Sequence, residues 1–409
     1  MLDIVKKEHA RIDSPSWAIE RYLLQLFYHR LGRPNASFTL WDGHRQGKMS
    51  DVPTNLTIHN RRAFWRLLSK PELYFGEDYS QGMLSIEGGL LAFLEEIYLS
   101  RTQGFGKAIS RNRKRRKLRP LYSIKYRKAK RNATHHYDVG NDFYRLWLDE
   151  EMVYTCAYFP QENLSIEQAQ QAKMEHICRK LQLKAGETVF EAGCGWGALS
   201  LYMAKHYGVR VKAYNVSHAQ IKEARKRARA EGLSDSIEFI EDDYRNIQGQ
   251  CDVFVSVGML EHVGPNNYTQ LGEVIDRTLT AHGRGLIHNI AQNQPDPTSP
   301  WIQKYIFPDG YCPTLREMMD IFEPTDFSIA DLENLRLHYA MTLQHWLTRF
   351  EEHKDEIATM YDENFVRMWR LYLCGSIANF TTGNMQLYQV LFQRPQLADL
   401  PITRDHLYR

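Results

Sequence analysis

The sequence predicts an α/β protein: a doubly wound, Rossmann-like sheet with helical, aromatic-rich insertions, preceded by a small α+β domain. Three observations carry this reading. From residue 186 to about 291, strand-like and helix-like segments alternate, as in a parallel sheet with crossover helices. The first of these strands runs into a Gly-rich turn and a helix, in "TVFEAGCGWGALSLYMAKHYG". Residues 1–110 mix short alternating strands with helical segments.

Taken in order, "SWAIERYLLQLFYHRLG" (16–32) has helical spacing and stops at Gly32. "SFTLWDG" and "NLTIHN" alternate like short strands, while "RRAFWRLLSK" and "GGLLAFLEEIYLS" read as helices. A basic block follows at 111–131, as linker or surface segment. The remainder, 132–409, forms the second domain. Residues 133–180 read as helices leading into the Gly loop. The expected strands are Thr188–Ala192, Arg210–Tyr214, Ile237–Ile240, Asp252–Val257 and Gly285–Ile290. "ALSLYMAKHYG" is a helix stopped at Gly208. "SHAQIKEARKRARAEG" is a helix opened by a Ser217/Gln220 capping box and stopped at Gly232. Residues 292–409 read as helical and hold 17 of the 49 aromatic residues, material for plain core or for an apolar substrate pocket.

The totals bound the class. The 409 residues exceed one ordinary domain. A chain 43% apolar and 25% charged has the profile of a soluble globular protein. No apolar run approaches the ~18–20 residues of a membrane span, and the N-terminus shows no signal-peptide core. Six scattered cysteines without a C-x-x-C pair argue against zinc and against a disulfide framework, and suit a reducing cytoplasm; no metal site is expected. The net charge of +3 conceals an asymmetry: residues 111–131 hold twelve Lys/Arg and no Asp/Glu. Without those twelve, 40 basic residues face 49 acidic ones, a net of −9, so the positive excess is one local block.

The turn Gly193-Cys194-Gly195-Trp196-Gly197-Ala198 fits both a dinucleotide fingerprint and an S-adenosylmethionine (SAM) loop. Its glycines let the backbone approach a ligand without a Cβ clash. A nicotinamide site wants a carboxylate at the end of the second strand, for the ribose hydroxyls. That place reads Tyr214-Asn215-Val216-Ser217, without one. An acid instead precedes the first Gly, Glu191, and another pair, Asp242-Asp243, follows the third strand. Glu191 can face the cationic amino-acid end of SAM, Asp243 can accept from the adenine amine, and Trp196 and Tyr244 can cover the ring. The flanks therefore favour SAM over a dinucleotide or a ligand-free fold.

The fourth strand runs into "MLEHVGPNNY" and the fifth ends near His288-Asn289-Ile290. In a doubly wound sheet both ends face the cofactor side. Glu261 or His288 alone reads as an ordinary helix-start Glu or a satisfied strand-end His. Together, beside a SAM loop, they point to a proton that must be removed after methyl transfer.

"HHYDVGNDFYRLWLDEEMVYTCAYF", "EAGCGWGALSLYMAKHYGV", "EDDYRNI", "SVGMLEHVGPNNY", "WIQKYIFPDG" and "LHYAMTLQHWLTRF" occur in the order seen in cyclopropane-fatty-acid-phospholipid synthases, which this chain resembles over roughly residues 130–395. Through "FTLWDG" and "LYFGEDYSQGMLSIEG", residues 1–110 resemble the N-terminal extension of the longer members. The resemblance implies a SAM-methyltransferase sheet with lipid-pocket insertions. It implies methyl transfer to a cis double bond of a phospholipid acyl chain, through a carbocation that a bound bicarbonate deprotonates to close a cyclopropane. It also implies the bicarbonate holders: Cys156, Glu261, His288, the Ile290 backbone and Tyr339. The implied SAM contacts are Tyr137, Tyr154, Thr155, Gly193, Gly195, Gly197, Asn215, Val216, Ser217, Gln220, Asp243 and Tyr244. A homodimer, cytoplasmic and peripheral on the inner membrane face, is the expected state. The pattern departs from the family at Ser376, where some members have Cys, with Cys374 two residues earlier. Thr155 replaces a more usual Ser, and Ala198 a frequent Gly.

Read alone, the basic block is a solvated linker, a nucleic-acid patch or a membrane contact. A lipid substrate favours an anionic membrane surface and no nucleic acid. Competing functions are the same alkylation giving a methylene or methyl branch, a small-molecule N-methyltransferase with no need for Cys156 or Tyr339, and a non-catalytic SAM- or lipid-binding protein.

Overall fold

The structure, a computed structural model, describes residues 14–47, 54–103, 140–395 and 401–408. The basic block 111–131 and Tyr137 lie outside the described residues. The chain forms two compact units: the N-terminal residues with 299–301 and 355–382, and the rest.

In the first unit the expected opening helix runs Ala18–Arg30 and turns Glu20, Leu24 and Tyr28 inward, four residues apart. The buried Glu20 carboxylate is held by Arg61 at 2.7 Å. The chain passes through β1 (Ala36–Thr39), β2 (Arg45–Gly47), β3 (Thr54–Ile58) and β4 (Leu84–Glu87), which pair in the order β2-β1-β3-β4. Two of these, β1 and β3, fall in the runs legible as alternating; β2 and β4 were not marked as strands in the sequence. The helix Glu363–Thr381 belongs to this unit, where Arg367 donates to the Tyr79 and Leu84 carbonyls at 2.7 and 2.9 Å. Cys374 and Ser376 both ride on it, so residues 132–409 contribute to both units.

The second unit is built on a seven-stranded sheet. Its strands are β5 (Thr188–Ala192), β6 (Arg210–Asn215), β7 (Ile237–Glu241), β8 (Cys251–Val257), β9 (Leu279–Gln292), β10 (Ser328–Asn334) and β11 (Met385–Gln393), in the order β10-β11-β9-β8-β5-β6-β7. The five from β5 to β9 are parallel, as the alternation implied. β9 is longer than expected. β10 and β11 correct the helical reading of residues 292–409: they add two antiparallel strands beside β9. β11 lies between two neighbours and is buried along most of its length, so it shows no alternation to mark it as a strand. β10, at the edge, is mostly exposed and polar.

The helix caps follow the local signals in part. Gly208 ends the helix Ala198–Tyr207 in a left-handed conformation. Ser217 caps the helix His218–Ala230 by accepting from the Gln220 amide. The other half of the expected capping box is absent: the Gln220 side chain accepts from Asn215 Nδ2 at 2.8 Å. Gly272, in the helix Tyr268–Thr278, passes so close to Ile321 that a Cβ would sit 2.2 Å from its carbonyl oxygen. Gly272→Ala is therefore expected to destabilise the unit by about 1–3 kcal/mol, lowering the apparent Tm by roughly 2–12 °C. An unchanged melting curve would refute this close contact. β5 connects to β6 on one side and pairs with β8 on the other, and this reversal opens a crevice at the strands' carboxyl ends.

Candidate active site

The Gly loop sits in that crevice. Gly193 and Cys194 donate their amides to the Tyr214 carbonyl at 2.9 and 3.1 Å, tying the loop to β6. Gly195 has φ +53° and faces open space where a Cβ would point. Gly197 serves packing instead, since a Cβ there would lie 2.7 Å from Phe239 Cζ.

Of the expected cofactor residues, Tyr154, Thr155, Glu191, Gly193, Gly195, Asn215, Val216, Gln220, Asp243 and Tyr244 line one pocket. Gly197 and Ser217 do not; they pack and cap as described. Glu191 is buried and accepts from the Ser200 hydroxyl. Burial pushes its carboxyl up to about 7, against the opposing pull of Ser200 and Lys173. Asn215 braces the loop by donating to the Gly195 carbonyl at 3.3 Å. Asp243 is engaged through both oxygens by Arg245, at 2.6 and 2.9 Å, so its charge is balanced within its own turn. The buried Tyr244 hydroxyl has no partner among the described residues. These features fit SAM: an acid for the ammonium, aromatic walls for the adenine, and a glycine where the ligand's tail must pass.

Several wall residues had not been singled out: Lys173, Met259, His262, Val263 and Pro308. Burial holds His262 down at about 4, so it is a neutral imidazole at physiological pH. Nothing in the sequence marked Lys173, and packing alone set it apart. On the helix Ile166–Leu181, Gln170, Lys173, His176 and Lys180 are all buried among apolar neighbours, a polar stripe at helical spacing on the inward side.

The five residues of the expected anion site fall outside the pocket's lining, in two groups. Glu261 Oε1 accepts the Ile290 amide at 2.6 Å, so Ile290 holds Glu261 rather than standing open to an anion. Glu261 Oε2 is buried without a partner among the described residues. His288, two residues before Ile290 on β9, receives Gln389 Nε2 on Nδ1 at 3.0 Å. An amide nitrogen only donates, so Nδ1 accepts and the ring proton sits on Nε2. That Nε2 is also buried and unmatched among the described residues. Burial, reinforced by Lys173 and Lys180, holds His288 well below its ordinary pKa. In the second group, Cys156 donates to the Ala157 carbonyl at 3.1 Å and lies 4.0 Å from the Leu335 carbonyl. Tyr339 stands one turn beyond Leu335, its amide on the Leu335 carbonyl. Burial pushes the Cys156 thiol up, which makes it a neutral donor rather than a nucleophile. Lys173 acts electrostatically on both Cys156 and His288.

A cyclopropane-fatty-acyl-phospholipid synthase of Escherichia coli (strain K12) is 38% identical over 345 residues, 84% of this chain and 88% of its own length. A probable fatty acid methyltransferase of Pseudomonas putida is 33% identical over 384 residues, 90% and 95% of the two chains. Among solved structures, a mycolic acid cyclopropane synthase complexed with SAH and CTAB aligns with a TM-score of 0.61 at 27% identity, covering 64% of this chain and 98% of that one. Fold and pocket together define a SAM-dependent methyltransferase. Within that class, the chain belongs to the mycolic acid cyclopropane synthetase family, whose model matches residues 124–390.

Proposed function

We propose that this methyltransferase alkylates a cis double bond in a phospholipid acyl chain and closes a cyclopropane ring, with bound bicarbonate as the base. The observation that carries the reading is the pair of unmatched buried atoms, Glu261 Oε2 and His288 Nε2. Buried polar atoms without partners are costly, and a fold retains them where a ligand completes them. His288 Nε2 offers a hydrogen and ionised Glu261 accepts one; bicarbonate has an oxygen for the first and a hydroxyl for the second. Tyr339 adds a neutral hydroxyl to this set, Cys156 would join it only by turning its thiol hydrogen away from the Ala157 carbonyl, and Ile290 keeps Glu261 in place.

Bound SAM supplies an electrophilic methyl group. Its transfer would break the methyl–sulfonium bond, release the neutral thioether S-adenosylhomocysteine and bond the methyl to one alkene carbon, leaving positive charge on the other; ring closure would then form the second bond as a proton leaves the new methyl. An anion held at this place both stabilises that charge and takes the proton.

A phospholipid substrate also asks for contact with a bilayer. Supporting this, the helix Ala18–Arg30 turns Ile19, Tyr22 and Leu26 outward, three and four residues apart, with Arg21 and Arg30 exposed beside them. Apolar and aromatic residues edged by arginine suit the headgroup boundary of an anionic membrane. The test is incubation with labelled SAM and unsaturated phospholipid vesicles. The expected result is a gain of about 14 mass units per acyl chain, one CH2, with NMR assigning a ring rather than a methylene. Binding should favour anionic vesicles and weaken with salt. Unmodified acyl chains would defeat the proposal, and salt-independent binding to neutral vesicles would defeat its membrane component.

A further inference from the structure

Lys173 is 2% exposed, yet it lines the cofactor pocket. An ammonium carries three N–H donors. One goes to Thr155 Oγ1 at 3.1 Å, its single hydrogen bond within the described residues. No carboxylate among the described residues stands within ion-pair distance; Asp149 and Glu191 act on it at longer range. A buried ammonium without an adjacent counter-ion is costly, and a fold that keeps one has a use for it. Thr155, having accepted from Lys173, retains its own hydroxyl hydrogen for another acceptor. Two ammonium hydrogens and one hydroxyl hydrogen are thus available in the pocket that also contains Glu191.

The methionine end of SAM is a zwitterion. It needs an acid for its ammonium and hydrogen donors for its carboxylate. We propose that Lys173, together with the Thr155 hydroxyl, binds the α-carboxylate of the cofactor's methionine end, leaving the α-ammonium to Glu191. This rests on the SAM reading of the pocket. Burial holds Lys173 at about 8, with Asp149, Cys156 and Glu191 opposing the fall, so it is charged at neutral pH. Bicarbonate is the other source of the same carboxylate chemistry. The placement favours SAM, because Lys173 and Thr155 line the cofactor pocket while Cys156, Glu261 and His288 do not.

The test is calorimetry on the full chain in bicarbonate-free buffer, with SAM and with decarboxylated SAM, which lacks only the carboxylate. Lys173→Met is expected to weaken SAM by about 10–100-fold and to leave decarboxylated SAM within about threefold. Lys173→Arg should recover part of the loss. Thr155→Val, a smaller change that covers the case of Lys173→Met failing to fold, should cost SAM about 3–10-fold with the same selectivity. Equal losses for both ligands, or no loss, would overturn the proposal. So would a defect seen only when bicarbonate is added, which would assign Lys173 to that anion. A wild-type chain that binds neither ligand would instead defeat the SAM reading itself.

Discussion

Glu261→Gln is expected to lower kcat by roughly 10²–10⁴-fold while leaving the affinity for SAM within about threefold. Glutamine preserves the volume and can still accept the Ile290 amide, which Glu261 Oε1 now takes at 2.6 Å. It cannot carry the negative charge that accepts a hydrogen at Oε2. Burial raises the Glu261 carboxyl to about 7, with the Ile290 N–H pulling the other way. The ionised form is the accepting form, so kcat should rise with pH through about 7 in the wild type, and this limb should vanish in the variant. His288 is not expected to add a limb in the same range, because burial holds it neutral well below its ordinary pKa. Stopped-flow or steady-state rates against pH, alongside calorimetric SAM binding, separate these effects. Full activity in Glu261→Gln would remove Glu261 from the anion site.

Glu191→Gln is expected to weaken SAM by roughly 100-fold or more and, at the same time, to stabilise the ligand-free protein at pH 8. The two effects have one cause. Glu191 is 3% exposed, and its pKa is raised from 4.5 to about 7, chiefly by burial. Below pH 4.5 the carboxyl is protonated in folded and unfolded chains alike, and its folded-state preference for the proton is fully expressed. As pH rises toward 7 the unfolded chain ionises first, so this contribution to stability is lost and does not return at higher pH. The loss is on the order of 3 kcal/mol from a shift of about 2.5 units. Glutamine avoids it while still accepting from Ser200. A cationic ligand end supplies the missing counter-charge, which is why the acid is useful despite its cost. A variant that is less stable than wild type at pH 8, or that binds SAM normally, would contradict this account. The resulting pH limb should appear in the KM for SAM, whereas that of Glu261 appears in kcat.

Much of the site's scaffold was legible because it is local. The strand Thr188–Ala192, the loop from Gly193 to Gly197 and the helix stop at Gly208 all depend on a few adjacent residues. Backbone sterics and capping act over such distances, so their signatures survive in a linear sequence. The acid-free end of β6 and the acid before the loop likewise turned the loop toward SAM. The motifs around Cys156, Glu261, His288 and Tyr339 were readable as a family resemblance, without any statement of where their atoms point.

What the sequence by itself determined was the parallel βα core, its Gly loop and the cofactor type, because periodicity and turn chemistry are written in neighbouring residues. Tertiary structure alone decided the rest. β11 is a strand because β9 and β10 flank it, not because its own pattern alternates. Ile290 turned out to hold Glu261, and Asp243 to be tied by Arg245, since hydrogen-bond partners depend on which elements meet. Lys173 looked like one lysine among many on an amphipathic helix; packing removed it from water and left it facing the cofactor pocket. Desolvation is a property of everything that surrounds a group, and for that reason the charges that matter here emerge only in the fold.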